Sequence, residues 1–130
     1  MNIMVGYDGS NVCKTALDIA IQHVKAFTGK LFVVSSMTKG TEDEQVQIKD
    51  IEKALTVLRA DLEARGIPCE THLLIRGMSP GEDLVRYAQE QQIEEIIIGI
   101  RRRSKVGKLL FGSTAQYVIL NADCPVVTVR

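Results

Sequence analysis

Five cations, Arg101, Arg102, Arg103, Lys105 and Lys108, stand between Gly99 and Gly112, and a cluster of one sign attracts a ligand of the other. The apolar run Ile96-Ile97-Ile98 just before them suits a buried parallel strand, and Gly112-Ser113-Thr114 just after them opens a helical pattern. The first N–H groups of a helix have no partner within it, so a helix start placed after such a loop favours an anion, phosphate above all. The spacing is not that of the G-x-x-x-x-G-K-[ST] loop, which would require glycine at Arg102 and a hydroxyl residue at Leu109.

A second candidate sits near the amino terminus, where the run Asn2-Ile3-Met4-Val5-Gly6-Tyr7 stops at Asp8-Gly9-Ser10. Asp8 can accept a hydrogen bond from a ligand, or serve only as a turn or helix-capping residue. The arginine triplet has its own plainer reading, as solvated surface or as partners for Glu94 and Glu95. Ser113 and Thr114 would cap a helix in any case, and Gly77 can serve a turn or a ligand. His23 falls in a helical segment and His72 in a strand, with no Ser or Cys near either to suggest a nucleophile pair, so both read as structural or surface residues. Cys13, Cys69 and Cys124 are odd in number and widely spaced. They read as buried thiols in a reducing compartment, not as a disulfide framework or a metal site.

The elements that must position these residues alternate along the chain. Strand one ends at Asp8, and Cys13, Ala16, Leu17, Ala20, Val24 and Phe27 then recur at helical spacing until Gly29. Leu31 to Ser35 is strand two. Met37 to Gln45 reads as a loop with a solvated acidic patch, Glu42, Asp43 and Glu44. A second helix buries Ile48, Ile51, Leu55, Leu58 and Leu62 and stops at Gly66 and Pro68. Strand three covers Cys69 to Ile75. Ser79-Pro80-Gly81-Glu82 predicts a capping box at the start of a third helix, with Leu84, Val85 and Ala88 inward. Glu95 to Gly99 is strand four, Val118 and Ile119 anchor a fourth helix, and Pro125 to Val129 is strand five.

Strict alternation with right-handed crossovers predicts an α/β fold, an open twisted five-stranded parallel sheet in the order 3-2-1-4-5 with helices on both faces. Ligands of such sheets sit at the carboxyl ends of the strands, where the order reverses. Here that point lies between strands one and four and brings Asp8 opposite Gly99. The 130 residues are the length of one domain, without repeat or linker. Sixteen Lys and Arg balance sixteen Asp and Glu, which argues against a nucleic-acid partner. No apolar stretch approaches the roughly 20 residues of a membrane span and no signal peptide is evident, so a cytoplasmic location is expected.

These residues resemble the universal stress proteins, small cytoplasmic domains of Rossmann-like fold, many of which bind ATP. The likeness runs through Ile3-Met4-Val5-Gly6-Tyr7-Asp8-Gly9-Ser10, Arg76-Gly77, the stretch from Gly99 to Thr114, and Cys124-Pro125-Val126-Val127. The family's pattern G-x2-G-x9-G-[S/T] falls on Gly99, position 102, Gly112 and Ser113, with Arg102 in place of its second glycine. By this resemblance Asp8 meets the adenine edge, helped by the backbone near Gly6 and by Ser36. Gly99, Arg101, Arg102, Arg103, Ser104 and Lys105 line the ribose and phosphates. Gly112, Ser113 and Thr114 hold the triphosphate, with a divalent ion such as Mg2+ or Mn2+ on its oxygens. The resemblance also implies a homodimer through strand five (125–129) and signalling to a protein partner by ordering of the loop from 100 to 111. A nucleotide-free interaction module and a slow ATPase are the rival functions. No S-G-G-x-D-S loop and no evident base for activating water favour the latter.

Overall fold

The computed structural model describes residues 1–38, 42–100, 102–103 and 109–130, with the side chains of 102–103 and 109–110 left out of that description. The chain runs β1 (Asn2–Gly6), α1 (Asn11–Phe27), β2 (Lys30–Ser36), α2 (Glu42–Ala64), β3 (Cys69–Leu74), α3 (Pro80–Glu90) and β4 (Glu95–Gly99). Two short strands follow, β5 (Arg102–Arg103) and β6 (Leu109–Leu110), and then α4 (Ser113–Asn121) and β7 (Val126–Val129). Five parallel strands form one sheet in the order β3-β2-β1-β4-β7. This is the predicted 3-2-1-4-5 arrangement, with β7 as the fifth strand.

Alternation along β1 explains how one strand serves two cores. Ile3 and Val5 point toward α1 and α2, joining Ala16, Leu17, Ala20, Leu55 and Leu62, while Met4 points toward α3 and α4, joining Leu84, Ala88, Ala115 and Val118. Both faces of the central strands are therefore buried, as the unbroken apolar run from Ile96 to Ile98 requires. Among the described residues no helix is long and apolar enough to cross a membrane.

The structure corrects several local expectations. The acidic patch is not a loop: Glu42, Asp43 and Glu44 form the first turn of α2, where carboxylates complement the helix dipole. Of the five apolar residues that the pattern turns inward in α2, Leu55 and Leu62 are buried and Ile48, Ile51 and Leu58 only in part. Phe27 is exposed and packs edge-on against His23 at a centroid distance of 5.8 Å, since the core ends a turn earlier at Val24. Ile119 is also exposed, for the nine-residue α4 buries only the narrow stripe of Ala115 and Val118. Ser79 and Pro80 stand at the cap and first position of α3 as expected, but the Ser79 side chain makes no capping bond. Only Cys13 is a buried thiol, Cys69 and Cys124 being partly exposed, and all three are free. Between Gly99 and Gly112 the chain forms an antiparallel pair, Arg102 opposite Leu110 and Arg103 opposite Leu109, which no periodicity in the sequence marked.

Candidate functional site

At the carboxyl ends of β1 and β4 the sheet order reverses, and a cleft of about 210 Å3 opens there. Its floor is Gly6, Val34, Ile98 and Gly99, and one side carries Asp8, Ser10 and Cys13 from the β1–α1 turn. The opposite side is the start of α4, Gly112 to Ala115, and Ser36 with Pro80 and Leu84 completes the rim. A second cavity of about 330 Å3, bounded by Gln47, Asp50 and Ile51 of α2, shares Tyr7, Asp8 and Ser36 with the first.

The sequence-predicted residues thus fall into two groups. Gly6, Asp8, Ser36, Gly99, Gly112, Ser113 and Thr114 line one cleft. Arg101, Ser104 and Lys105 lie outside the described residues, as do the side chains of Arg102 and Arg103. Gly77 takes a positive φ of 76° and makes the turn into α3; it does not line the cleft. Of the acids considered as partners for the arginines, Glu95 pairs with His23, its Oε1 2.6 Å from the imidazole Nδ1.

Asp8 is held by the turn it begins. The Ser10 N–H donates to its Oδ1 at 2.9 Å, and the Cys13 thiol lies 2.8 Å from the same oxygen. The Cys13 sulfur also accepts from the Asp8 N–H at 3.3 Å and lies 3.4 Å from the Gly6 carbonyl oxygen. Burial, reinforced by the hydrogen bond to the Asp8 carboxylate, pushes the Cys13 thiol above its ordinary pKa. Ser10 caps α1, its Oγ accepting from the Cys13 N–H at 3.3 Å. Across the cleft, α4 begins with Gly112 at the cap position and no side-chain cap bond. Gly99 is fixed by a close approach: a Cβ there would stand 2.5 Å from Cγ1 of Val12, so the end of β4 could not pass beneath α1 with any larger residue.

Ser36 belongs to a wider network. Its Oγ donates to Oδ2 of Asp83 at 2.9 Å, and Arg76 donates through Nε to Oδ1 of the same carboxylate at 2.5 Å. Arg76 also donates through Nη1 to Glu90 at 2.6 Å, a hydrogen bond that, with Asp83, raises the guanidinium further above its usual range. Asp83 has no exposed surface. From sequence it reads as an ordinary first-turn acid of a helix; the available signal was its place beside Leu84 and four residues before Tyr87, on the face that the pattern turns inward. Cys13 likewise read as core, and nothing in its spacing marked its contact with Asp8.

Among the described residues no group of three or more His, Cys, Asp and Glu side chains could hold a metal ion. The lining of the cleft instead combines a carboxylate held by its own turn with a helix start and two hydroxyl residues.

Comparison with known proteins agrees with this architecture. The model of the universal stress protein family matches residues 1–130. A universal stress protein of Thermus aquaticus is 31% identical over 134 residues, covering 98% of this chain and 97% of its own. The structure of a universal stress protein from Archaeoglobus fulgidus superposes with a TM-score of 0.88 at 34% identity, covering 100% of this chain and 98% of that one. A universal stress protein structure from the same organism, in complex with dAMP, gives a TM-score of 0.81 at 32% identity over 100% of this chain and 98% of that one. With a family match over its whole length and relatives aligned almost end to end, this chain belongs to the universal stress protein family.

Proposed function

We propose that this chain is a regulatory module that binds an adenine nucleotide, ATP with a divalent cation, in the cleft between β1 and β4. The observation that carries the reading is that one cleft is lined both by Asp8 and by the start of α4, which has no side-chain cap. A carboxylate accepts from the adenine amino group, and Gly112, Ser113 and Thr114 offer N–H and hydroxyl groups to phosphate. The structure of a relative 32% identical in complex with dAMP supports the same ligand class. In this reading Gly99 and the loop residues Arg101, Arg102, Arg103, Ser104 and Lys105 accompany the ribose and phosphates. Mg2+ or Mn2+ would ride on the phosphate oxygens beside the Ser113 and Thr114 hydroxyls.

Phosphate would neutralise the five cations between Gly99 and Gly112 and favour one arrangement of that segment, changing the surface offered to a partner. The reading includes a cytoplasmic setting and a homodimer through β7, an edge strand of β-branched residues close in sequence to the exposed Ile119 and Leu120. The test is thermal unfolding with ATP and Mg2+, on samples whose mass is measured by light scattering. At a hundred times Kd the nucleotide should add about 2.7 kcal/mol of stability. Asp8→Ala should weaken binding about tenfold to a hundredfold. Unchanged melting at millimolar ATP and dAMP would end the reading, and a monomer mass would remove the dimer from it.

A further inference from the structure

The Ser36–Asp83–Arg76 network has a direction. Arg76 can only donate, and it donates to Oδ1 of Asp83. Asp83, fully buried between the sheet and α3, therefore meets Ser36 with its second oxygen, Oδ2, and takes the one hydroxyl proton that Ser36 possesses. A serine whose proton is committed has only lone pairs left. Ser36 lines the same cleft as Asp8, so two residues, one from the turn after β1 and one from the end of β2, offer a ligand acceptors.

We propose that Asp83 is a specificity-positioning residue: by fixing the Ser36 hydroxyl as an acceptor, it makes this wall of the cleft select a purine that carries a donor, an amino group, at its six-position. The proposal rests on the reading of the cleft as an adenine-nucleotide site. A six-keto purine presents an acceptor there, and two acceptors facing each other in a water-poor site leave both unsatisfied. Asp8 alone would confer part of this preference; the buried network adds a second point that cannot reverse its polarity while Arg76 occupies Oδ1.

The prediction is tested by calorimetric titration with AMP and with inosine monophosphate, which differ at the six-position and in the N1 proton that accompanies it. The wild-type chain should prefer AMP. In Asp83→Asn the amide oxygen faces Arg76 and the amide NH2 faces Ser36, so Ser36 accepts from within and turns its proton toward the cleft. The ratio of AMP to inosine monophosphate affinity should then fall at least about tenfold, partly by tighter binding of the keto purine. Ser36→Ala, which removes the acceptor without touching Asp83, should also lower the ratio. Equal weakening of both nucleotides in Asp83→Asn would mean a merely structural role and overturn the proposal. A ratio unchanged in Ser36→Ala would overturn it as well, and Ser36→Ala alone decides if Asp83→Asn does not fold. A wild-type chain that binds AMP without preference refutes the proposal and leaves the nucleotide site standing; one that binds neither of these nor ATP removes both.

Discussion

Three helices begin at the cleft, α1 at Asn11, α3 at Pro80 and α4 at Ser113, and the first turns of α1 and α4 are finished differently. The start of α1 is closed by its own residues: Ser10 Oγ accepts from the Cys13 N–H, the Ser10 N–H is taken by Asp8, and the Cys13 thiol is tied back to the same carboxylate. The start of α4 has glycine at the cap and no side chain bonded to its N–H groups. Both ends carry the same partial positive charge. In the proposed reading, the closed start of α1 serves stability and the start of α4 serves the phosphate.

The largest effect should come from erasing that contrast. At Gly112 the backbone has φ −64° and ψ 159°, an extended geometry open to any residue, and a Cβ would meet nothing within 4 Å. Gly112→Asp therefore supplies α4 with the cap it lacks and places a carboxylate where phosphate would lie. Stability without nucleotide should rise by about 0.5 kcal/mol. Nucleotide affinity, measured by calorimetry, should fall at least about tenfold, or 1.4 kcal/mol. A variant that binds nucleotide as well as the wild-type chain would show that the start of α4 takes no part in binding.

The mirror experiment opens the helix start that is closed. Ser10→Ala removes the cap of α1 and should cost about 1 kcal/mol, a few degrees in melting temperature for a domain of this size. Nucleotide affinity should change little, because Asp8 is held by the backbone N–H of residue 10, which alanine retains, and by Cys13. A loss of affinity as large as that from Gly112→Asp would break the division of labour between the two helices.

Much of this contrast was legible in the chain before folding. Asp8-Gly9-Ser10 and Gly112-Ser113-Thr114 each mark a helix start, and strict alternation of elements fixes both at the carboxyl ends of adjacent strands. The partners that finish the site were less so. Asp83 and Cys13 occupy helical positions where an acid or a small apolar residue is unremarkable, and their roles depend on contacts with Ser36 and Asp8 that only tertiary packing creates. The start of α2 was misplaced for a local reason, since three consecutive acids read equally well as solvated loop or as a first helical turn. The hairpin of β5 and β6 pairs two residues with two, too short for any period to register.

The smallest effect is a pH dependence confined to the closed helix start. Burial first, and then the Asp8 carboxylate beside it, hold the Cys13 thiol above its ordinary pKa. In the unfolded chain that thiol loses its proton near pH 8.5, while the folded chain still retains it. The folded state then binds more protons than the unfolded one, so the thiol's contribution is complete below about pH 8 and declines as pH rises toward the folded value. Cys13→Ser has no titrating group there. The stability difference between wild type and Cys13→Ser, measured by urea unfolding under reducing conditions, should be constant from pH 6 to about pH 8 and then shift against the wild type by about pH 9.5. Tyr7, which burial also raises, is present in both chains and largely cancels. Parallel curves across the whole range would mean that the Asp8–Cys13 contact does not hold the proton in solution, and that the cap at Ser10 closes this helix start without help from the thiol.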